Sequence, residues 1–396
     1  MRIVVTAEYH YLATRDGVMV DGKCDYAYWA QLLEVFDEVG VFSRLAPGEV
    51  PAAARAVEGP GVTLLSAPDF VATRGLVRAA PGLAAAAWRA ARWGDVFLLH
   101  APGVMATALR PALALARKPY GVEVVGDPRG SLDGAGRVLT ALRGLAGREL
   151  ASMVAGASAT RYVTRRHLQE RYPPRAGTPT FVVSDAFIPD AIFAREPAAI
   201  TDDATLALGF VGALHRPYKG LDVLLDALAR TTRPHTLAIA GDGALRPSLE
   251  AQAQRLGLAA RVQFLGALPS GARVYDFLRG RAALVQPSRT EGLPRSLLEG
   301  MALGLPCLAT PVGGVPELLD RAELVPVDDA DALARAIDAL GADPARRRRL
   351  AVSNRELARD YASAVSRATM RRFHQALRDV ASAHGARGGD AATPVR

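Results

Sequence analysis

Two glutamates, Glu291 and Glu299, stand in the run QPSRTEGLPRSLLEGMALG from Gln286 to Gly304. A buried apolar stretch ends at Gln286, and Pro294 suits the first turn of a helix, where a missing N–H costs nothing. The N–H groups of residues 292–296, Gly292 and Leu293 among them, would then face outward from a helix start, a position that favours anions. Glu291 sits at the same place and would repel a diphosphate, so it suits hydroxyl groups such as those of a sugar. Glu299 lies roughly 7.5 Å further along the helix. One carboxylate can accept from two adjacent hydroxyls, as a ribose presents. A helix cap and a surface carboxylate would read the same way, so the pair alone decides nothing.

A second run, FVGALHRPYKGLDVLL, spans Phe210 to Leu225. It predicts a strand, a glycine turn and a helix. Gly212 permits close approach of the backbone to a ligand. Arg216 and Lys219 precede the helix and could neutralise a diphosphate, the arginine as a bidentate donor and the lysine as a point charge. An ordinary basic loop would look alike. A third strand ends in Gly241-Asp242-Gly243, again open to close approach, although many plain turns share that pattern. In VFLLHAPG, His100 closes a buried strand and precedes a helix. That places it at a sheet edge, as a site residue or as a satisfied core histidine.

These residues need a scaffold, and the chain supplies an alternating one. Short apolar runs at 3–6, 39–43, 62–66, 96–100, 121–125, 162–164 and 181–183 alternate with helical patterns such as 76–93 and 104–117. After a break at about 190–203, strands are predicted at 206–211, 236–240, 262–265, 283–286, 306–309 and 323–326. Helices are predicted at 221–230, 245–256, 274–278 and 294–303. Such alternation implies parallel sheets covered by helices on both faces. The expected class is α/β, with two doubly wound Rossmann-like domains facing a cleft. The expected division is residues 1–195, residues 204–360, a returning helix at 361–383, and a disordered tail at 384–396. Ligands of such sheets sit at the carboxyl ends of the strands.

The bulk properties narrow the classes. The 396 residues are 50% hydrophobic and 22% charged, which is a globular composition with material for two or three domains. The net charge of +8 comes without a basic stripe interleaved with aromatics, so nucleic acid is not expected as a partner. The arginines at 346–349 read as a solvated helix face. Cys24 and Cys307 are too few for a disulfide framework or a zinc site. The N-terminal MRIVVTAEYH reads as a first strand, not a signal peptide. A cytoplasmic protein is expected, with room for peripheral contact at the inner membrane face.

Taken in this order, the motifs resemble the retaining glycosyltransferases of the GT-B fold, particularly glycosyltransferase family 4. The likeness covers about residues 205–330 and is thinner elsewhere. It rests on Pro287, Ser288, Glu291, Gly292, Pro294, Glu299, Met301, Ala302, Gly304, Pro306, Gly313, Gly314, Pro316 and Glu317. The resemblance implies transfer of a sugar from a nucleotide diphosphate sugar, UDP- or GDP-linked, to a hydroxyl acceptor with retention. It implies Glu291 on the donor sugar, Glu299 on the ribose, Lys219 on the diphosphate and His100 near the reacting centre. No cofactor and no metal are expected.

Two departures stand out. Ala213 follows Gly212 where the family usually has an arginine, and Arg216 is the nearby substitute. The loop after the first strand lacks the family's Gly-Gly pair. It reads Glu8-Tyr9-His10-Tyr11, then Asp16-Gly17, Asp21-Gly22-Lys23, Asp25, Tyr26, Tyr28 and Trp29. His10, Asp25 and Tyr26 are the acceptor candidates there. The segment YVTRRHLQERYP from Tyr162 to Pro173 suggests a locally packed helix without chemistry. A nucleotide-sugar isomerase and a non-catalytic nucleotide-sugar-binding subunit stay open as alternatives. A nicotinamide oxidoreductase lacks its glycine fingerprint after the first strand.

Overall fold

The computed structural model describes residues 1–15, 17–20, 24–48, 54–128, 137–197 and 205–389. Asp16, residues 21–23, residues 198–204 and the tail beyond 389 lie outside them. The first sheet is built around Arg2–Thr14, which pairs in parallel with Glu38–Pro47 on one side and Val96–Ala101 on the other. Val62–Pro68 extends one flank, and Tyr120–Val124, Ala159–Tyr162 and Thr180–Val182 extend the other. The second sheet is parallel throughout, in the order Val262–Phe264, His235–Ala240, Leu206–Val211, Ala283–Gln286, Cys307–Ala309. Its central strands carry almost uninterrupted apolar residues, because helices cover both faces. The α/β class with two doubly wound sheets is therefore observed, and the sheets present their carboxyl ends to a shared cleft.

Two strand expectations change. The first strand does not stop at Thr6. It runs to Thr14 and turns back antiparallel into Gly17–Val20. Its register against Glu38–Pro47 shifts between Thr6 and His10, which marks an irregular, bulge-like stretch. The Ser43 hydroxyl satisfies that stretch by donating to the carbonyls of Ala7 and Tyr9 at 2.7 and 2.8 Å. Residues 323–326 form no strand beyond a single bridge between Ala309 and Leu324. Glu323 closes a 3-10 turn, and its buried carboxylate accepts from Arg346 at 2.9 Å. Pro326 offers no N–H with which to continue a ladder.

The arginine run is not simply a solvated face. Arg347 is buried and donates to the carbonyls of Leu340 and Gly341 at 2.8 and 3.0 Å. It thereby satisfies the end of helix Ala330–Ala342.

Helix Ser363–Gly389 lies against the first sheet, with the Phe373 ring 5.6 Å from that of Phe181. It continues past His384, where order was expected to end, because extending a formed helix costs little. Among the described residues, no helix is long and apolar enough to cross a membrane.

One glycine fixes the second sheet's site geometry. Gly220 has a φ of 68°, closes the turn Pro217–Lys219 by donating to the Pro217 carbonyl at 3.0 Å, and begins helix Leu221–Leu228. A Cβ there would meet the carbonyl oxygen of Pro287. Gly220→Ala is therefore expected to destabilise the fold by about 1–3 kcal/mol. Urea unfolding measures this, and an unchanged midpoint would show that the turn can relax.

Candidate functional site

At the carboxyl ends of the second sheet lies a cavity of about 500 Å³, lined by Gly212, Lys219, Gly241, Gly292, Leu293 and Glu299 among others. Its centre is an ion pair. Lys219 Nζ lies 2.7 Å from Glu291 Oε1, and both side chains are largely buried. The same oxygen accepts from the Ser288 hydroxyl at 2.7 Å. Ser288 is itself fixed, since Gln286 donates to its hydroxyl oxygen at 3.0 Å and the Thr310 hydroxyl donates to its carbonyl. Ser296, in the first turn of helix Arg295–Ala302, donates to Gln286 at 3.1 Å. The polar residues of the PS-x-x-E motif thus form one network that holds the Glu291 carboxylate beside the helix start.

The loop bearing Lys219 is tied down from outside. Arg289 grips Asp222 at 2.7 and 3.0 Å and Asp328 at 2.7 Å, and it donates to the Pro217 carbonyl. Its backbone N–H donates to the Tyr218 carbonyl at 2.7 Å. Arg289 therefore fixes the loop and leaves Lys219 to face the cavity. Gly241 is required by close packing, because a Cβ would meet the Gly212 carbonyl. Gly243, with a φ of 154°, does not line the cavity and serves the turn.

Arg216 is exposed and does not line this cavity. The cation that lines it beside Lys219 is Arg295, at the first position of helix Arg295–Ala302. Among the described residues it makes no ion pair. It also lines a second cavity, of about 820 Å³, on the side of the first sheet. Sequence reasoning passed over Arg295 because an exposed arginine in a helical first turn looks like surface. The signal available was its place between the two glutamates of the motif.

His100 lies in this second cavity, with its side chain about one third exposed. It belongs to a row of charges set by strand register. His100 pairs with Glu123 across one strand pair, and Glu123 with Arg161 across the next. His100 Nδ1 lies 3.2 Å from Glu123 Oε2, Arg161 Nη1 donates to Glu123 Oε1 at 2.7 Å, and Arg161 Nη2 pairs with Asp185. Burial alone would lower the His100 pKa, but the hydrogen bond and charge of Glu123 outweigh it and the net shift is upward. Burial would raise Glu123, but Arg161 and His100 hold it well below the usual carboxylate range. With Nδ1 committed to Glu123, Nε2 is the ring nitrogen left to interact with a ligand, as a donor when protonated. Glu123 and Arg161 were missed in the sequence, although charges inside the apolar strands GVEVV and ATRYV were the visible sign.

The acceptor candidates separate. Asp25 lines the second cavity, accepts from Tyr28 N at 3.1 Å as a helix cap, and pairs with Arg55 at 3.3 Å. His10 is exposed, lies outside the lining and pairs with Asp69 at 2.7 Å. Tyr26 also lies outside it and donates to the Pro60 carbonyl at 3.1 Å. Tyr11 is core, held by the Cys24 carbonyl and the Trp29 indole. Glu8 does face the cavity, while its Oε1 accepts from Met105 N at 2.7 Å at the start of helix Val104–Leu115.

The rest of the motif joins the two halves. Gly292 approaches the Val125 carbonyl so closely that a Cβ would collide with it. Glu317 accepts from the backbone N–H groups of Arg165, Arg166 and His167 at 2.6, 3.0 and 2.8 Å. It thus anchors the short helix His167–Arg171, which was expected to pack only locally. The Glu317 carboxylate supplies acceptors for N–H groups that a helix start leaves unpaired.

Residues 205–343 match the family described as Glycosyl transferases group 1. Among curated proteins, the chain is 43% identical over 106 residues to the D-rhamnosyltransferase WbpZ of Pseudomonas aeruginosa, covering 26% of each chain. It is 34% identical over 199 residues to the D-inositol 3-phosphate glycosyltransferase of Xylanimonas cellulosilytica, covering 48% of this chain and 46% of that one. The match thus spans less than half the length of these two relatives. Among solved structures, sucrose-phosphate synthase from Thermosynechococcus elongatus superposes with a TM-score of 0.69 at 19% identity, over 96% of this chain and 99% of that one. Anabaena HepE in complex with UDP and glucose superposes with a TM-score of 0.66 at 19% identity, over 94% and 98%. The chain therefore has the GT-B fold, and over residues 205–343 it is similar to the group 1 glycosyl transferases.

Proposed function

We propose that the protein transfers a sugar from a nucleotide diphosphate sugar to a hydroxyl acceptor, with retention at the anomeric carbon. The observation that carries this reading is the Lys219–Glu291 pair at the start of helix Arg295–Ala302. A diphosphate entering the cavity competes with Glu291 for Lys219. The carboxylate so released accepts from hydroxyls of the donor sugar. The bond from the anomeric carbon to the diphosphate breaks, the acceptor oxygen forms the new one on the same face, and the acceptor's hydroxyl proton passes to the departing diphosphate oxygen. Charge developing on the diphosphate meets Lys219, Arg295 and the N–H groups of Gly292 and Leu293, all in place before the reaction. This route requires no metal ion. Arg295 takes the part that Arg216 was expected to play. His100 donates from Nε2 across the cleft and orients the donor sugar. Glu299 accepts from the ribose hydroxyls.

The donor base is uridine or guanosine in this reading, and the product belongs to a polysaccharide, a glycolipid or a glycosylated natural product. The reaction takes place in the cytoplasm or at the inner membrane face. UDP and glucose bound in HepE, at a similar fold, support a nucleotide-sugar donor.

The test separates the two glutamates. Glu299→Ala is expected to weaken donor binding by about 10- to 100-fold, the loss of hydrogen bonds worth about 1–3 kcal/mol. Glu291→Ala is expected mainly to cut turnover. Calorimetric donor titration and initial rates read these two effects, and full activity in both variants would place the site elsewhere. Proton NMR of the product reports the anomeric configuration.

A further inference from the structure

Behind the His100 cavity, helix Ser363–Gly389 roofs a second hollow of about 460 Å³. Its walls are Val5 and Leu98 of the first sheet, Leu32 and Val35, Phe187, and Met370 of the helix. The two hollows share Tyr28, Trp29 and Glu123, so they adjoin. Along the helix, the small residues Ala364 and Ala368 leave the space open.

Charges at the rim are already matched. Arg371 pairs with Glu34, and Arg367 lies 3.6 Å from Asp190. Two polar groups stand deeper: Glu123, already held by Arg161 and His100, and His374, which is 8% exposed; the His374 ring lies tilted to that of Phe373 at 5.8 Å. Among the described residues its ring nitrogens have no hydrogen-bond partner. Burial pushes its pKa down to about 4, against the opposing pull of Glu123 and Glu34 and with the help of Arg161. It is thus a neutral imidazole near pH 7, with one donor and one acceptor to offer.

An apolar-walled hollow of this size falls within the range of small-molecule sites, about 300–1,000 Å³. Its charges are all paired, which suits an uncharged occupant, and its place beside the His100 cavity says what that occupant is joined to. We propose that this hollow seats the apolar portion of the acceptor, with the hydroxyl-bearing end in the His100 cavity and a hydroxyl or carbonyl of the apolar portion at His374. The acceptor is then amphiphilic, its apolar portion an alkyl chain or a ring system. This inference rests on the transfer reaction proposed above.

The test compares methyl, octyl and 2-naphthyl β-D-glucopyranoside by calorimetry, below the micellar concentration of the octyl compound. The expected result is that the octyl or the naphthyl glucoside binds at least tenfold more tightly than the methyl glucoside, the stronger of the two telling chain from ring. Ala368→Trp, which fills the hollow from an exposed helix position, should remove that gain and leave nucleotide-sugar binding unchanged. Ala364→Trp does the same from one turn earlier, should the first variant fold poorly. Equal binding of the three glucosides, no binding of any, or a gain that survives both variants would overturn the proposal. Absence of nucleotide-sugar binding in the wild type would instead overturn the transfer reaction, and that is read in a separate titration.

Discussion

Lys219→Met is expected to lower the turnover number by about 10²–10³-fold, the cost of removing one preorganised group from a developing negative charge. The side chain is largely buried, and Nζ is aimed by Glu291 and by the loop that Arg289 holds. Methionine keeps the length of the side chain and most of its packing but removes the charge. Glu291 keeps its hydrogen bond from Ser288, so the local fold should survive. Arg295→Met should add to the loss if both cations face one diphosphate, while Arg216→Met should change little. Initial rates and nucleotide affinity for the three variants check this. A normal rate in Lys219→Met, or a larger loss in Arg216→Met than in Arg295→Met, would contradict the assignment.

Glu123→Ala is expected to destabilise the protein by about 3 kcal/mol, at the low end for a buried charge left without its partner. Arg161 is only 2% exposed and would keep Asp185 and the Val183 carbonyl, which moderates the loss. The pH dependence follows from the two shifts. The folded pKa of Glu123 is depressed, so its stabilisation is present above the ordinary carboxylate value and is lost as pH falls through the folded one. The folded pKa of His100 is raised, so its stabilisation is complete below about 6.5 and is lost as pH rises through the folded value. Glu123→Gln should let burial dominate and move His100 downward. In the pH–rate profile the alkaline limb, set by loss of the Nε2 donor, should then move to lower pH. Urea unfolding across pH and an NMR titration of His100 read both effects. An unmoved imidazole would show that Glu123 does not govern it.

The fold was legible where local pattern decides. Strands Leu206–Val211 and Ala283–Gln286 are almost uninterrupted apolar runs, and they form with the bounds their sequence predicts. Polar and aromatic residues hid the continuation of the first strand. In YHYLAT only Tyr11 is buried, so no clear alternation marks the strand and the stretch reads as a loop. The segment at 323–326 failed for the opposite reason, since an apolar composition misled where Pro326 blocks a ladder.

In the site, the glutamates and Lys219 were readable because their spacing along a strand, loop and helix is local. The row of His100, Glu123 and Arg161 was not, because it depends on the register of three strands whose pairing the sequence does not state. Arg295 became notable only once the first sheet was seen to face it.

The most direct measurement of the central claim is thermal stabilisation of the purified protein by a panel of UDP-, GDP-, ADP- and dTDP-sugars, in the wild type and in Lys219→Met. The account predicts that at least one donor raises the wild-type transition in a saturable way, and that the variant loses most of that shift. No shift with any donor, or an equal shift in both proteins, would contradict a nucleotide-sugar site at Lys219 and Glu291.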